Sequence, residues 1–210
     1  MLQETKIARD LVTVDDFFAM VKDGEKADLI EGVIYMASPD SRQANKLTGF
    51  IYRLLEGYAE AREIGGEVVF SRFAFQIGPL NAPEPDVAYI SPERVKHLTE
   101  TRMTGGPDIA VEVVSRDSRT RDYQDKFHLY QEAGVSEYWI IDPIQRRVEF
   151  YRLAEKKYQL APLVDNRRIT SEALPGFWID IDWLLADPLP PATRCLAEIL
   201  GEGRDVRPES

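Results

Sequence analysis

The stretch PDIAVEVVSRDSRTRDYQDKFHLYQEAGVSEYWIID, residues 107–142, decides the fold. Asp108 to Ser115 is nearly continuous in β-branched residues, the composition of a central strand covered on both faces. Arg121 to Ala133 has helical character and closes at Gly134, a residue suited to ending a helix. Tyr138 to Ile141 is a second buried strand. Strand, helix, strand is a βαβ-like unit, and it predicts an α/β (α+β) chain with a mixed central sheet flanked by helices.

Working outward, Arg147 to Leu153 and Lys157 to Leu160 form a hairpin. Upstream, Val68 to Phe70, Phe73 to Phe75 and Asp86 to Ile90 are strands, and Ser91 to Leu98 is a helical turn. From Asp40 to Glu63 the apolar residues Leu47, Phe50, Ile51, Leu54, Leu55 and Tyr58 recur at helical spacing, which predicts a long amphipathic helix ended by Gly65-Gly66. Leu29-Ile30 and Val33 to Tyr35 flank a tight turn at Glu31-Gly32. Thr13 to Lys22 is a short helix with Thr13 as its N-cap. The segment Asp187-Pro-Leu-Pro-Pro191 predicts a break, with one domain over residues 1–187. Residues 188–210 are then an appendage carrying a last helix, Ala192 to Leu200.

Composition narrows the function. At 210 residues the chain can bury a core without staples. Its single cysteine, Cys195, excludes an internal disulfide and a cysteine-based zinc site. The N-terminus has no apolar signal region and no apolar run reaches about 20 residues, so a cytoplasmic protein is expected. A formal net charge of −10 argues against a surface coated in phosphate-binding residues. It leaves room for a carboxylate cluster with a local basic rim.

Two stretches place acids in apolar strands: Pro83-Glu-Pro-Asp-Val-Ala-Tyr89 and Pro107 to Ser115. Alternation puts Asp108, Ala110, Glu112 and Val114 on one strand face. Glu112 lies between valines, where a charge is costly unless it is paired or binds metal. Its partner is either an arginine, Arg119 or Arg121, or a functional group. Asp86 after Pro85 also suits a turn, and Asp108 after Gly-Gly-Pro is read as structural. Asp122, Lys126 and Tyr130 share one helix face. Either that face covers the strand, so that Lys126 reaches Glu112, or Asp122 and Lys126 form a surface pair. Arg116, Arg119, Arg121, Arg42 and Lys46 are candidates for gripping a substrate or are ordinary solvated residues. The aromatics Tyr138, Trp139, Phe150, Tyr151, Phe177, Trp178 and Trp183 suit core and interface. His97 and His128 have no ligand-like spacing.

The 107–142 run, with Glu84-Pro-Asp-Val-Ala-Tyr-Ile-Ser91 and Asp28-Leu-Ile-Glu-Gly-Val-Ile-Tyr-Met-Ala-Ser-Pro39, resembles the Uma2 family (DUF820) over roughly residues 10 to 185. Those proteins are similar to the PD-(D/E)XK nucleases, so the resemblance implies a restriction-endonuclease-like fold. It also implies hydrolysis of nucleic-acid phosphodiester bonds with Mg²⁺ or Mn²⁺, DNA as substrate and a homodimer. By the same resemblance Asp86 stands for the PD aspartate and Glu112 for the (D/E)XK acid. Val114 occupies the motif's lysine position, and Lys126 from the following helix supplies the ammonium. Glu31 matches an acidic position in the N-terminal part and completes the catalytic set. The metal would be held by Asp86, Glu112 and the Val113 carbonyl, with Lys126 orienting or helping to deprotonate a water. The competing reading is a non-catalytic nuclease-fold module that binds nucleic acid or a protein partner. A carboxylate-pair glycosidase lacks any supporting pattern.

Overall fold

The structure is a computed structural model and describes residues 11–22 and 25–201. Its organising element is a six-stranded mixed sheet. The first helix, α1 (Val14–Met20), starts at a Thr13–Asp16 capping box. The hairpin β1 (Ala27–Ile30) and β2 (Val33–Met36) turns at Glu31-Gly32. Next comes α2 (Arg42–Ala61), capped by Ser41. Then follow β3 (Glu67–Phe70), β4 (Ala74–Gln76), β5 (Val87–Ile90), a 3₁₀ turn at Val95–His97 and β6 (Arg102–Thr104). The 107–142 unit gives β7 (Ile109–Val113), a π-helical turn (Arg121–Asp125) running into α3 (Lys126–Glu132), and β8 (Glu137–Asp142). The remainder is β9 (Arg147–Ala154), β10 (Lys157–Leu160), β11 (Arg168–Thr170), β12 (Trp178–Asp180), α4 (Ile181–Leu184) and α5 (Ala192–Leu200).

The central sheet runs β10-β9-β8-β7-β5-β3. Only the β7–β8 pair is parallel within it, as the intervening helix requires; its other pairs are antiparallel. The strand read at Phe73 to Phe75 is β4, but β6, β11 and β12 were not legible in advance, because three residues are too few to establish a period-2 pattern.

Strand alternation sorts the side chains onto two faces. Val87, Tyr89, Val111, Val113, Trp139 and Ile141 face α2, whose Leu47, Phe50, Ile51, Leu54, Leu55 and Tyr58 are buried against them. Each such burial contributes roughly 1.5–3 kcal/mol. Ala110, Val114, Tyr138 and Ile140 face the opposite way and pack with Tyr130 of α3. Between α2 and β3, Gly66 has φ +84°, and a Cβ there would lie 2.3 Å from the Ile90 carbonyl oxygen. Only glycine fits that crossing.

The break placed after Asp187 does not separate two cores. Cys195 and Ile199 of α5 belong to the α2-side core, and the Leu196 side chain lies over Gly57. The apolar face of α5 is thus buried in its own chain rather than offered as an interface. Trp139 likewise stacks on Phe177 and lies against Phe150 inside the core. No helix among the described residues is long and apolar enough to cross a membrane.

Candidate active site

The site forms where β5 begins and β7 ends, under the π-turn and α3. Asp86 immediately precedes β5 and shares the face of Ala88, opposite to Val87 and Tyr89. Glu112 shares the face of Ala110 and Val114. The two carboxylates therefore leave the sheet on the same side. The Val113 N–H donates to Asp86 Oδ2 at 2.7 Å, tying Asp86 to the strand that carries Glu112. Along β7, Val111 and Val113 direct their backbone groups toward β5, so the Val113 carbonyl points to the Asp86 side.

Lys126 reaches this face from α3. Its Nζ lies 2.8 Å from Glu112 Oε1 and 3.0 Å from Asp28 Oδ1. The Tyr130 hydroxyl donates to the same Glu112 oxygen at 3.2 Å. The π-turn sets the direction of approach: the Lys126 N–H bonds to the Arg121 carbonyl, five residues back. The Tyr138 hydroxyl donates to the Asp122 carbonyl in that widened turn at 2.9 Å. Asp122 itself is buried and accepts a short hydrogen bond from Ser118.

Four further residues, Asp28, Arg121, Lys26 and Glu84, complete the cluster. Asp28 of β1 is bridged by Lys126 and by Arg121, whose Nε is 3.0 Å from Asp28 Oδ2. Asp28 Oδ1 also accepts the Glu84 N–H at 2.8 Å. Lys26 pairs with Asp86 through Oδ1. Glu84 is buried, and its Oε2 has no hydrogen-bond partner among the described residues.

Charge explains the electrostatics. Burial works against the Lys126 ammonium, but Asp28, Glu112 and Asp122 outweigh it and hold its pKa above the ordinary lysine value. These carboxylates hold Lys126 in its charged form. Burial, then the neighbouring Asp28, pushes Glu84 up to about 7. Burial likewise raises Asp122 to about 6, against the pull of Lys126.

Among the described residues, no three acid, histidine or cysteine side chains converge as a ready-made metal cage. The donor set still suits a hard cation. Glu112 Oε2 accepts no hydrogen bond from the described residues, and Asp86 and the Val113 carbonyl lie on the adjoining edge. Five carboxylates (Asp28, Glu84, Asp86, Glu112, Asp122) face three cations (Lys26, Arg121, Lys126), which in their fully ionised forms leaves a surplus of two negative charges. A divalent ion bound by two carboxylates and water would cancel it.

The structure thus brings together Asp86, Glu112, Val113 and Lys126, but not Glu31. Glu31 is exposed in the hairpin turn with φ +49°, and no ion pair among the described residues involves it. The hairpin contributes Asp28 instead, from a strand buried throughout. The signal was the one that marked Glu112, an acid in an apolar strand. Glu84, between two prolines, carries no such signal, and Lys26 precedes its strand. Arg119 and Arg121 pair internally, with Asp142 at 2.7 Å and with Asp28, and neither partners Glu112. Asp108 is structural: it accepts the Ser91 N–H at 2.7 Å and faces Arg94.

The chain matches the family model Uma2, described as "Putative restriction endonuclease", over residues 14–182. Its fold is similar to that of a crystal structure from Anabaena variabilis ATCC 29413, described as "a putative nuclease belonging to DUF820". The TM-score is 0.69 at 16% identity, covering 83% of this chain and 97% of that one. No curated protein matches.

Proposed function

We propose, from the premise that the chain belongs to the Uma2 family, that it is a divalent-metal-dependent endonuclease hydrolysing nucleic-acid phosphodiester bonds. The observation that carries this reading is the placement of Asp86 and Glu112 on one sheet face, with the Lys126 ammonium 2.8 Å from Glu112. Asp86, Glu112 and the Val113 carbonyl would hold Mg²⁺ or Mn²⁺. Such an ion, when bound, lowers the pKa of a coordinated water and offsets charge on the phosphate.

The protein's own groups do the positioning. Val113 N–H and Tyr130 OH fix one oxygen each of Asp86 and Glu112, which leaves Glu112 Oε2 and Asp86 Oδ1, the latter paired with Lys26, as the oxygens for the ligand. Lys126 supplies fixed positive charge where negative charge builds up on the phosphate, at no reorganisation cost. Lys26 must move from Asp86 for that carboxylate to take a cation, and its ammonium is then free for the phosphate.

The test is cleavage of supercoiled plasmid in Mg²⁺ or Mn²⁺ by wild type, Asp86→Asn and Glu112→Gln. Wild-type nicking that falls on the order of 100-fold or more in each variant is expected. Cleavage equal in all three would end the proposal. A non-catalytic binding module is the second reading, favoured by the Lys26–Asp86 pair and by Val114 at the motif's lysine position. It predicts nucleic-acid binding with no cleavage under any metal. A homodimer belongs to the same proposal, and light scattering tests it.

A further inference from the structure

We infer that the exposed face of α2 and the proline-rich segment opposite it form a binding groove for one sugar–phosphate strand. For its ligand class this inference rests on the nuclease reading. Arg42, Lys46 and Arg53 are spaced by four and seven residues, so they fall within about 40° of one another around the helix. All three are exposed, and none takes part in an ion pair among the described residues. Gly49 lies on the same line, with no atom within 4 Å of the position a Cβ would take, so it leaves the groove floor open. The far wall is Pro188, Leu189 and their neighbours, and the enclosed volume is about 820 Å³.

Charge complementarity selects the occupant. The chain as a whole carries −10, yet this groove has three unpaired cations against one acid, Asp187. Farther along α2 and just past its end the sign reverses: Glu56, Glu60 and Glu63 border a separate depression with Glu67. A polyanion is therefore drawn to the Arg42–Arg53 stretch of α2 and repelled from its C-terminal end. The start of α2 lies toward the candidate active site: Ser38, four residues ahead of Arg42, donates its hydroxyl to Asp117 at 2.9 Å, in the loop that follows β7. Because α2 covers the opposite face of the sheet from α3, a strand leaving the site would pass round this end of the sheet to reach the stripe. The stripe spans about 16 Å of helix, enough for several phosphates, and it is one side chain wide, which suits one strand rather than both strands of a duplex. The apolar wall would meet the sugars and base faces.

The experiment is fluorescence anisotropy of a labelled single-stranded 20-mer DNA, with EDTA present, titrated at several salt concentrations. Wild type is compared with Arg42→Gln/Lys46→Gln/Arg53→Gln and with a control, Lys96→Gln/Lys156→Gln/Lys157→Gln, which removes equal charge elsewhere. Circular dichroism verifies that each variant is folded. Each phosphate contact on a single strand contributes a slope of about −0.7 in log K against log salt. The groove variant should therefore lose about 2 from the magnitude of the slope and weaken binding on the order of tenfold or more at low salt, while the control changes little. Equal losses in both variants, or no loss in the groove variant, overturn the inference. Plasmid cleavage is scored separately: a wild type that binds through the stripe but never cleaves sinks the nuclease reading and leaves the groove standing.

Discussion

The Lys126 ammonium lies 2.8 Å from Glu112 Oε1, with both side chains almost wholly enclosed. Taking two charges out of water is costly, and the cost is recovered only while both remain paired. Lys126→Met should therefore destabilise the protein by roughly 3–5 kcal/mol, because Glu112 and Asp28 lose their shared cation. Urea unfolding of Lys126→Met, Glu112→Gln and the double variant measures the coupling. The double variant should recover a substantial part of the loss. Strict additivity of the two single losses would show that the pair does not account for it.

That pair was legible in the sequence as a conflict. An acid amid valines and a lysine on the face of the next helix each cost free energy alone, and the simplest resolution was that they meet. The fold followed from the same 36-residue stretch, since a buried strand, an amphipathic helix and a second buried strand leave few alternatives. What could not be read was the other side of the cluster. Asp28 and Glu31 are three residues apart in one hairpin, and only the turn geometry, with Glu31 at φ +49°, decides which of them reaches the site. Lys26 and Glu84 arrive through contacts that span about sixty and fifty-six residues of sequence, to Asp86 and Asp28. Local periodicity holds no information on those. The π-turn that aims Lys126 is likewise fixed by tertiary partners such as Tyr138, which lies beyond the helix.

Asp122 should make stability depend on pH in the direction opposite to a surface carboxylate. Burial raises its pKa from 3.8 in the open chain to about 6 when folded. Between those values the folded protein holds a proton that the unfolded chain has released, so stability falls as pH rises through the window. The loss should be on the order of 3 kcal/mol by pH 7. Asp122→Asn mimics the protonated form, retaining an acceptor for Ser118. It should match wild type near pH 4 and exceed it at pH 7 in urea titrations. A variant less stable than wild type at both pH values would contradict the assignment.

Lys26 should compete with metal for Asp86. Its ammonium pairs with Asp86 Oδ1, the oxygen that the Val113 N–H leaves open. Removing it in Lys26→Ala deletes the competitor and adds one negative charge to a cluster that already has a surplus. Mn²⁺ affinity by calorimetry should tighten on the order of tenfold, a change of about 1.4 kcal/mol. Weaker binding in the variant would mean that Lys26 organises Asp86 rather than blocking it. If Lys26 also meets the phosphate, cleavage should slow even as the metal binds more tightly.

Glu137 offers a control in which stability and activity separate. It is buried at the start of β8, far along the strand from Asp142 and hence from the end that meets the site. Its Oε1 accepts the Ala173 N–H at 3.1 Å and the Glu172 N–H, and its Oε2 accepts Trp139 Nε1–H at 3.0 Å. The Ser171 hydroxyl lies 3.1 Å from both oxygens. One carboxylate thus pins the 171–174 segment to the start of β8 and satisfies the indole of the core's largest side chain. Glu137→Ala orphans several buried donors at once, each worth about 1–3 kcal/mol, so a loss of roughly 3–5 kcal/mol is expected. Glu137→Gln keeps the shape and part of the acceptor capacity and should cost less. Because neither change touches Asp86, Glu112 or Lys126, the folded fraction of each variant should cleave and bind Mn²⁺ like wild type. A Glu137→Gln protein that is folded by circular dichroism yet inactive would show that the site depends on the far end of β8, and that the acids and ammonium at the near end do not account for activity by themselves.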